Sequence, residues 1–350
     1  MQGAAGAAGG ATYVDDVFST LLWSGEFTGN AGTTRQMTNG IDLAGEGGLV
    51  WIKQRNQAYS TGHQLYDTVR GAGAEKELNS SSNAVEGAGN IETYGWLNSF
   101  DAGGFTTKGG STDSDYVNRT GVNYASWSFR KQKGFFDIVE FTGNGTSSQV
   151  ISHNLGSVPG CIILKAKNAA DNWKVYHRGI NGGVTPEKWL LGLNDTQASS
   201  EYTEWWNNTA PTATNFTVGE WNNESGWEFI AYVFGHDEQS YGENGDQSII
   251  KCGSYTGNGS STGPEINLGF EPQWVLTKNA SINDEWYIFD SMRGIVTGGY
   301  DPRLRPNSSG TESSGDQRLD LTPTGFKITS NNGDINGSGN TIIYIAIRRP

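Results

Sequence analysis

The residues best suited to chemistry are Tyr202, Trp205, Trp206 and Trp221, which stand in the runs WWNN and EWNN. Indole beside amide and carboxylate suits sugar binding, because the ring covers an apolar sugar face and the amides bond hydroxyls. Aromatic side chains also bury the most area in a β core. Adjacent residues on a strand point to opposite faces, so at least one of Trp205 and Trp206 is expected to be structural.

Catalytic constellations are scarce. The four histidines, His63, His153, His177 and His236, form no H-E-x-x-H or other familiar metal spacing. No G-x-S-x-G elbow or phosphate-binding glycine loop leads a strand into a helix. Paired carboxylates could cut a glycosidic bond. Among 37 Asp and Glu, however, nothing sets Glu220 or Glu228 beside Trp221 and Trp227 apart from solvated acids. The loops TDSD (112–115) and NDE (283–285) offer oxygen ligands for calcium without the twelve-residue EF-hand pattern. The expectation is a chain with no catalytic residues, no metal site and no cofactor.

Other charges recur at one place in a pattern. Lys53, Lys165 and Lys278 end similar apolar runs: LVWIK, CIILK and WVLTK. Asp67 with Arg70 and Asp290 with Arg293 follow two of those runs, and His177 with Arg178 follows the third at shorter spacing. A repeated structural ion pair is the commoner meaning. Removing one partner of a buried pair can cost about 3–5 kcal/mol.

The elements that carry these residues repeat. FTGN begins at Phe27 and Phe141 and YTGN at Tyr255, 114 residues apart each time. Each anchor is followed by a turn, the lysine-ended run, an aromatic run closing on Arg-Gly, and a last alternating run: YASWSFRK, FIAYVFGH or IIYIAIRR. Runs of this length between Gly, Asn, Ser and Pro have the short-strand, turn-rich pattern of a β-sandwich or barrel. A period near 114 residues suits whole domains, whereas solenoid units are far shorter.

The fold expected is all-β: three tandem β-sandwich-like repeats at 20–134, 135–248 and 249–350, after a Gly/Ala-rich leader over 1–19. Leu49 with Trp51, Cys161 with Ile163, and Trp274 with Leu276 should share a buried face. The best helical candidate, TPEKWLLGL at 185–193, competes with 3₁₀ and hairpin readings.

Composition narrows the partners. A net charge of −13 repels phosphate backbones and anionic lipid headgroups, so no nucleic-acid partner is expected. No run approaches the roughly 20 apolar residues of a bilayer span, and no membrane insertion is expected. Cys161 and Cys252 fall at non-equivalent positions, so a disulfide is not expected. The start, MQGAAGAAGG, has no basic or apolar region of a secretory signal, which fits release by lysis after assembly in a host cytoplasm.

The segments GAAGAAGGATYVDDVFST, TNGIDLAGEGGLVWIKQRN and LYDTVRGAG resemble the front of large tail-fibre or virion proteins of marine tailed phages. FTGNGTSSQVISHNLGSVPGCIILKAKN and WKVYHRG resemble a repeat domain in the same proteins. The resemblance implies a place on the virion surface, other virion proteins as partners, a homo-oligomer with a trimer favoured, and host-surface polysaccharide as a ligand. The alternatives are a fibre depolymerase or lyase and a bacterial surface adhesin or filament subunit.

Overall fold

Short alternating runs punctuated by glycine and asparagine make strands too brief to stand alone, so each must be paired on a sheet and covered. The computed structural model describes residues 10–27, 32–56, 61–89 and 91–350. Residues 28–30 of the first FTGN motif and residues 1–9 of the expected leader lie outside the described residues.

The strands form an all-β molecule of three lobes. The first contains β1 (Phe18–Ser24), β2 (Thr34–Thr38), β3 (Gly48–Gln54), β4 (Gln64–Asp67), β5 (Leu78–Asn79), β6 (Trp96–Asp101), β7 (Gly104–Lys108) and β8 (Asn123–Arg130). The second contains β9 (Phe136–Thr142), β10 (Ser148–Ser152), β11 (Cys161–Ala166), β12 (Lys174–His177), β13 (Trp189–Gly192), β14 (Ser200–Glu201), β15 (Asn215–Gly219) and β16 (Glu228–Phe234). The third contains β17 (Ile250–Thr256), β18 (Glu265–Asn267), β19 (Pro272–Asn279), β20 (Trp286–Asp290), β21 (Arg303–Leu304), β22 (Leu319–Thr322), β23 (Gly325–Ile328) and β24 (Thr341–Arg348).

The large sheets run β1-β8-β3-β4-β5, β9-β16-β11-β12-β13-β14 and β17-β24-β19-β20-β21. The small sheets are β2-β7-β6, β10-β15 and β18-β23-β22. In every lobe the first strand pairs antiparallel with the last, and the last with the lysine-ended strand. Lys53, Lys165 and Lys278 are each the penultimate residue of their strand. β1 begins at Phe18, inside the segment read as leader. The helical candidate at 185–193 is a 3₁₀ turn, Pro186–Lys188, running into β13.

Both faces of the large sheets are buried. Val50 and Ile52 pack with Met37 and Phe105 of the small sheet, Ile162 and Leu164 with Ile151 and Phe216, and Val275 with Ile266 and Phe326. The opposite faces meet in one central core. Leu49, Trp51 and Trp127 of the first lobe join Cys161, Ile163 and Tyr232 of the second and Trp274, Leu276 and Ile345 of the third. A strand covered on both sides needs apolar residues at every position, which explains the near-continuous runs.

The lobes close into a ring. The Trp173 indole, ahead of β12, donates to Asn79 O at the end of β5, 3.0 Å away. Trp286 Nε1 donates to Gly192 O of β13 at 2.8 Å. The His63 ring meets Arg305 O, just past β21, at 2.9 Å. Thus the second lobe holds the first, the third the second, and the first the third. Residues 13–16 and 348–350 line one cleft of about 450 Å³, where Gly242 N–H donates to Thr12 O.

Two of the TGN asparagines, Asn144 and Asn258, have a scaffold role. Asn144 N–H donates to Asn223 Oδ1, and Asn223 Nδ2 donates back to Asn144 Oδ1 at 2.7 Å. Asn258 and Asn336 make the same exchange. Each pair ties the loop after a lobe's first strand to the turn before its last.

Candidate functional site

The exposed aromatic cluster of the second lobe is built by a one-turn helix, not a strand. Thr203–Trp206 is that helix, which corrects the expectation that Trp205 and Trp206 alternate across a sheet. Two backbone features hold it. A side chain at Gly219 would place its Cβ 1.9 Å from Glu204 O, so only glycine lets β15 pass this close. Asn207 and Asn208 end the turn in the left-handed region, at φ 48° and 51°, where asparagine is tolerated better than most residues.

The turn sorts its two indoles. Trp206 is buried in the lobe's core against Tyr176, with ring centroids 5.9 Å apart, and is no sugar contact. Trp205 is half-buried and meets Trp221 edge-on at 5.2 Å and 87°. Tyr202, delivered by β14 and held through its N–H on Lys188 O, lies 5.9 Å from Trp221. Tyr202 and Trp221 are 44% and 45% exposed, so they are the open surface and Trp205 is the ring that positions them.

The amides after Trp221 do not face solvent as the sequence suggested, whereas Asn207 and Asn208 after Trp206 do. Asn222 and Asn223 are fully buried; Asn222 Nδ2 donates to Trp205 O, and Asn223 serves the TGN loop. Further polar side chains line an adjoining pocket of about 280 Å³, where Asn172, Lys174, Asp195, Gln197 and Ser200 stand with Tyr202 and Trp205. Lys174 Nζ sits 4.5 Å from the Trp205 ring centroid and 3.0 Å from Asp171 Oδ1. An ammonium over an indole face is attractive by about 0.5–2 kcal/mol. Burial raises the Glu224 carboxyl above its ordinary value, with Asp171 adding to the shift and Lys174 opposing it. Sequence reasoning missed these residues. Their one signal is Asp171-Asn172-Trp173, which has the same acid–amide–indole composition, although Trp173 itself turns into the core.

The recurrent charges lie elsewhere, inside the ring. Asp67 and Arg70 are fully buried as side chains, 2.5 Å apart, and Tyr232 of the next lobe donates to Asp67 Oδ2 at 2.8 Å. Asp290 and Arg293 repeat this geometry, with Trp127 Nε1 donating to Asp290 Oδ2 at 3.0 Å. The expectation for Arg178 is corrected. Register pairs Cys161 with His177 as it pairs Leu49 with Asp67, so the third residue on is Ile180, which is buried, while Arg178 is exposed. His177 accepts Gly179 N–H at Nδ1, so its Nε2–H donates to Tyr344 O of the third lobe.

Lys53, Lys165 and Lys278 have no carboxylate partner among the described residues. Their ammonium groups donate to carbonyls: Thr61 and Ser309 for Lys53, Ala166 and Ala169 for Lys165, and Thr196, Ile282 and Asp284 for Lys278. Burial pushes Lys53 down to about 7 and Lys165 and Lys278 to about 8. Burial likewise lowers His177 to about 3 and His236 to about 4, so neither is poised for proton transfer near neutrality.

The acids of the TDSD loop are engaged by a cation, and the side chains of NDE by residues outside that loop. Asp113 and Asp115 both reach Arg119, at 3.0 and 2.6 Å, and Glu228 pairs with Lys167 at 3.2 Å. Among the described residues no group of three or more His, Cys, Asp or Glu is arranged to hold a metal ion. No described helix is long and apolar enough to cross a membrane. Cys161 and Cys252 are free thiols, both buried.

Fold and site together define an all-β, sandwich-like protein whose most exposed aromatic cluster lies on one lobe of a closed ring. Residues 15–349 match the family described as Domain of unknown function (DUF7483), and the chain belongs to that family. No curated protein and no solved structure matches it.

Proposed function

We propose that the chain is a structural protein of a tailed-phage virion, carried on a tail fibre or as a surface decoration, whose second lobe adheres to host-surface polysaccharide. The observation that carries the adhesive part is the exposed Tyr202–Trp221 surface, backed by Trp205 and opening onto a polar pocket. The virion part is supported by the resemblance of the opening and TGN segments to phage structural proteins. In this reading the protein is assembled in the host cytoplasm, released by lysis, and works without catalytic residues or a cofactor. Its partners are other virion proteins and further copies of itself, as a trimer. Copies of the second lobe brought together on an oligomer multiply weak contacts, raising avidity by about 10² to 10⁴ when geometry allows simultaneous engagement.

Purified protein incubated with host cells and with isolated envelope polysaccharide tests adhesion. Binding that weakens about tenfold in Trp221→Ala is expected; no binding at any concentration leaves only the structural role. A reducing-end assay on the same glycan separates adhesion from a depolymerase. No new reducing ends are expected, and their steady release would overturn the non-enzymatic reading.

A further inference from the structure

The aromatic surface carries a charge pattern that narrows its ligand, on the premise that the second lobe binds sugar. Each of its three rings is directly preceded by a glutamate: Glu201 before Tyr202, Glu204 before Trp205, and Glu220 before Trp221. All three glutamates are exposed, and none forms an ion pair among the described residues. Asp195 adds a carboxylate in the pocket lining, and Asp171 is paired with Lys174. Two lysines contact the cluster, Lys174 at Trp205 and Lys188 at Tyr202. Lys174 is already committed to Asp171 and to the Trp205 face. Lys188 contributes its backbone carbonyl to Tyr202 N–H.

We infer that this surface takes an uncharged glycan and turns away polysaccharides bearing uronate, sialate or phosphate groups. Stacking on Tyr202 and Trp221 is indifferent to ligand charge, since it uses an apolar C–H face against a ring. A carboxylate on the sugar, in contrast, would approach three exposed glutamates, each one residue from a ring. Rejection of like charge is the part of recognition that sets specificity. The Debye length near 0.1 M salt is about 10 Å. The glutamates adjoin the rings in sequence, so the repulsion persists at ordinary ionic strength and weakens only in concentrated salt.

Affinity electrophoresis in native gels containing neutral polymers (dextran, galactomannan, hydroxyethyl cellulose) or anionic ones (alginate, hyaluronan) tests this. Retardation by at least one neutral polymer and by neither anionic polymer is expected, with the apparent affinity falling about tenfold in Trp221→Ala. The triple variant Glu201→Gln, Glu204→Gln, Glu220→Gln changes only exposed side chains and should gain retardation by alginate while keeping the neutral one. Retardation of the wild type by alginate or hyaluronan that depends on Trp221 would overturn the charge rule and leave sugar binding standing. No gain by the triple variant would also overturn it. Retardation by no polymer in the panel would overturn the sugar-binding premise itself.

Discussion

Arg70 and Arg178 show how far burial, not residue type, sets the worth of a charge. Arg70 donates to Asp67, to Leu65 O and to Tyr232 Oη with no exposed side-chain surface, while Arg178 is in solvent. Arg70→Met should therefore cost about 3–5 kcal/mol in urea melts, because Asp67 stays behind uncompensated. Arg178→Met should change stability by less than about 0.5 kcal/mol. The buried lysines give a pH signature. Their folded-state values, about 7 for Lys53 and about 8 for Lys165 and Lys278, lie below the ordinary 10.5. Between roughly pH 7 and 10 the unfolded chain thus binds more protons than the folded one, and stability should rise with pH. Below that window both states are protonated and the cost of burying the charge is carried in full. A Tm that climbs from pH 7 to 9, with a shallower climb in Lys53→Met, is expected; a flat or falling profile would contradict these environments. The recurrence of the lysines was legible in the sequence. Their acceptance by carbonyls, without an acid, was not, because backbone acceptors leave no mark on residue identity.

Among the elements, the turn Thr203–Trp206 depends on a strand that follows it. Gly219→Ala would drive a methyl group into Glu204 O and displace the turn, while the pairing of β10 with β15 uses only backbone groups. The expected result is loss of sugar retention with an unchanged far-UV spectrum and a modest fall in Tm. Retention equal to wild type would show that the turn does not position Trp205. This dependence explains why WWNN was misread as part of a strand. Nothing within the four residues announces a helical turn; the close approach of Gly219 and the left-handed Asn207 and Asn208 decide it. The all-β class was easier to see, since short β-branched and aromatic runs such as Phe229–Phe234 and Thr341–Arg348 state it locally. Apolar residues on both sides of LVWIK and CIILK also carried the signal of double burial. A single strand cannot say what lies on its second side.

At the scale of the whole molecule, the common core makes the lobes thermodynamically dependent. Leu49, Trp51, Cys161, Ile163, Trp274 and Leu276 are covered only when all three large sheets are in place. Calorimetry should show one unfolding transition, with calorimetric and van't Hoff enthalpies in agreement. Three resolved transitions would show that the lobes fold independently. The second lobe expressed alone should aggregate, since one face of β11 and β16 would be an exposed apolar patch. The closing contacts, Arg55 with Glu312 at 2.9 Å and Lys53 on Ser309 O, join residues about 256 positions apart and so form late if local contacts come first. The shared cleft of residues 13–16 and 348–350 has a mechanical meaning. Any chain continuing from either side leaves from the same spot, so tension carried through such extensions loads β1 and β24, the strands that border the cleft, first. A body tethered in this way hangs from its support as a pendant, with the second lobe, which holds neither β1 nor β24, away from the strands that take the load first.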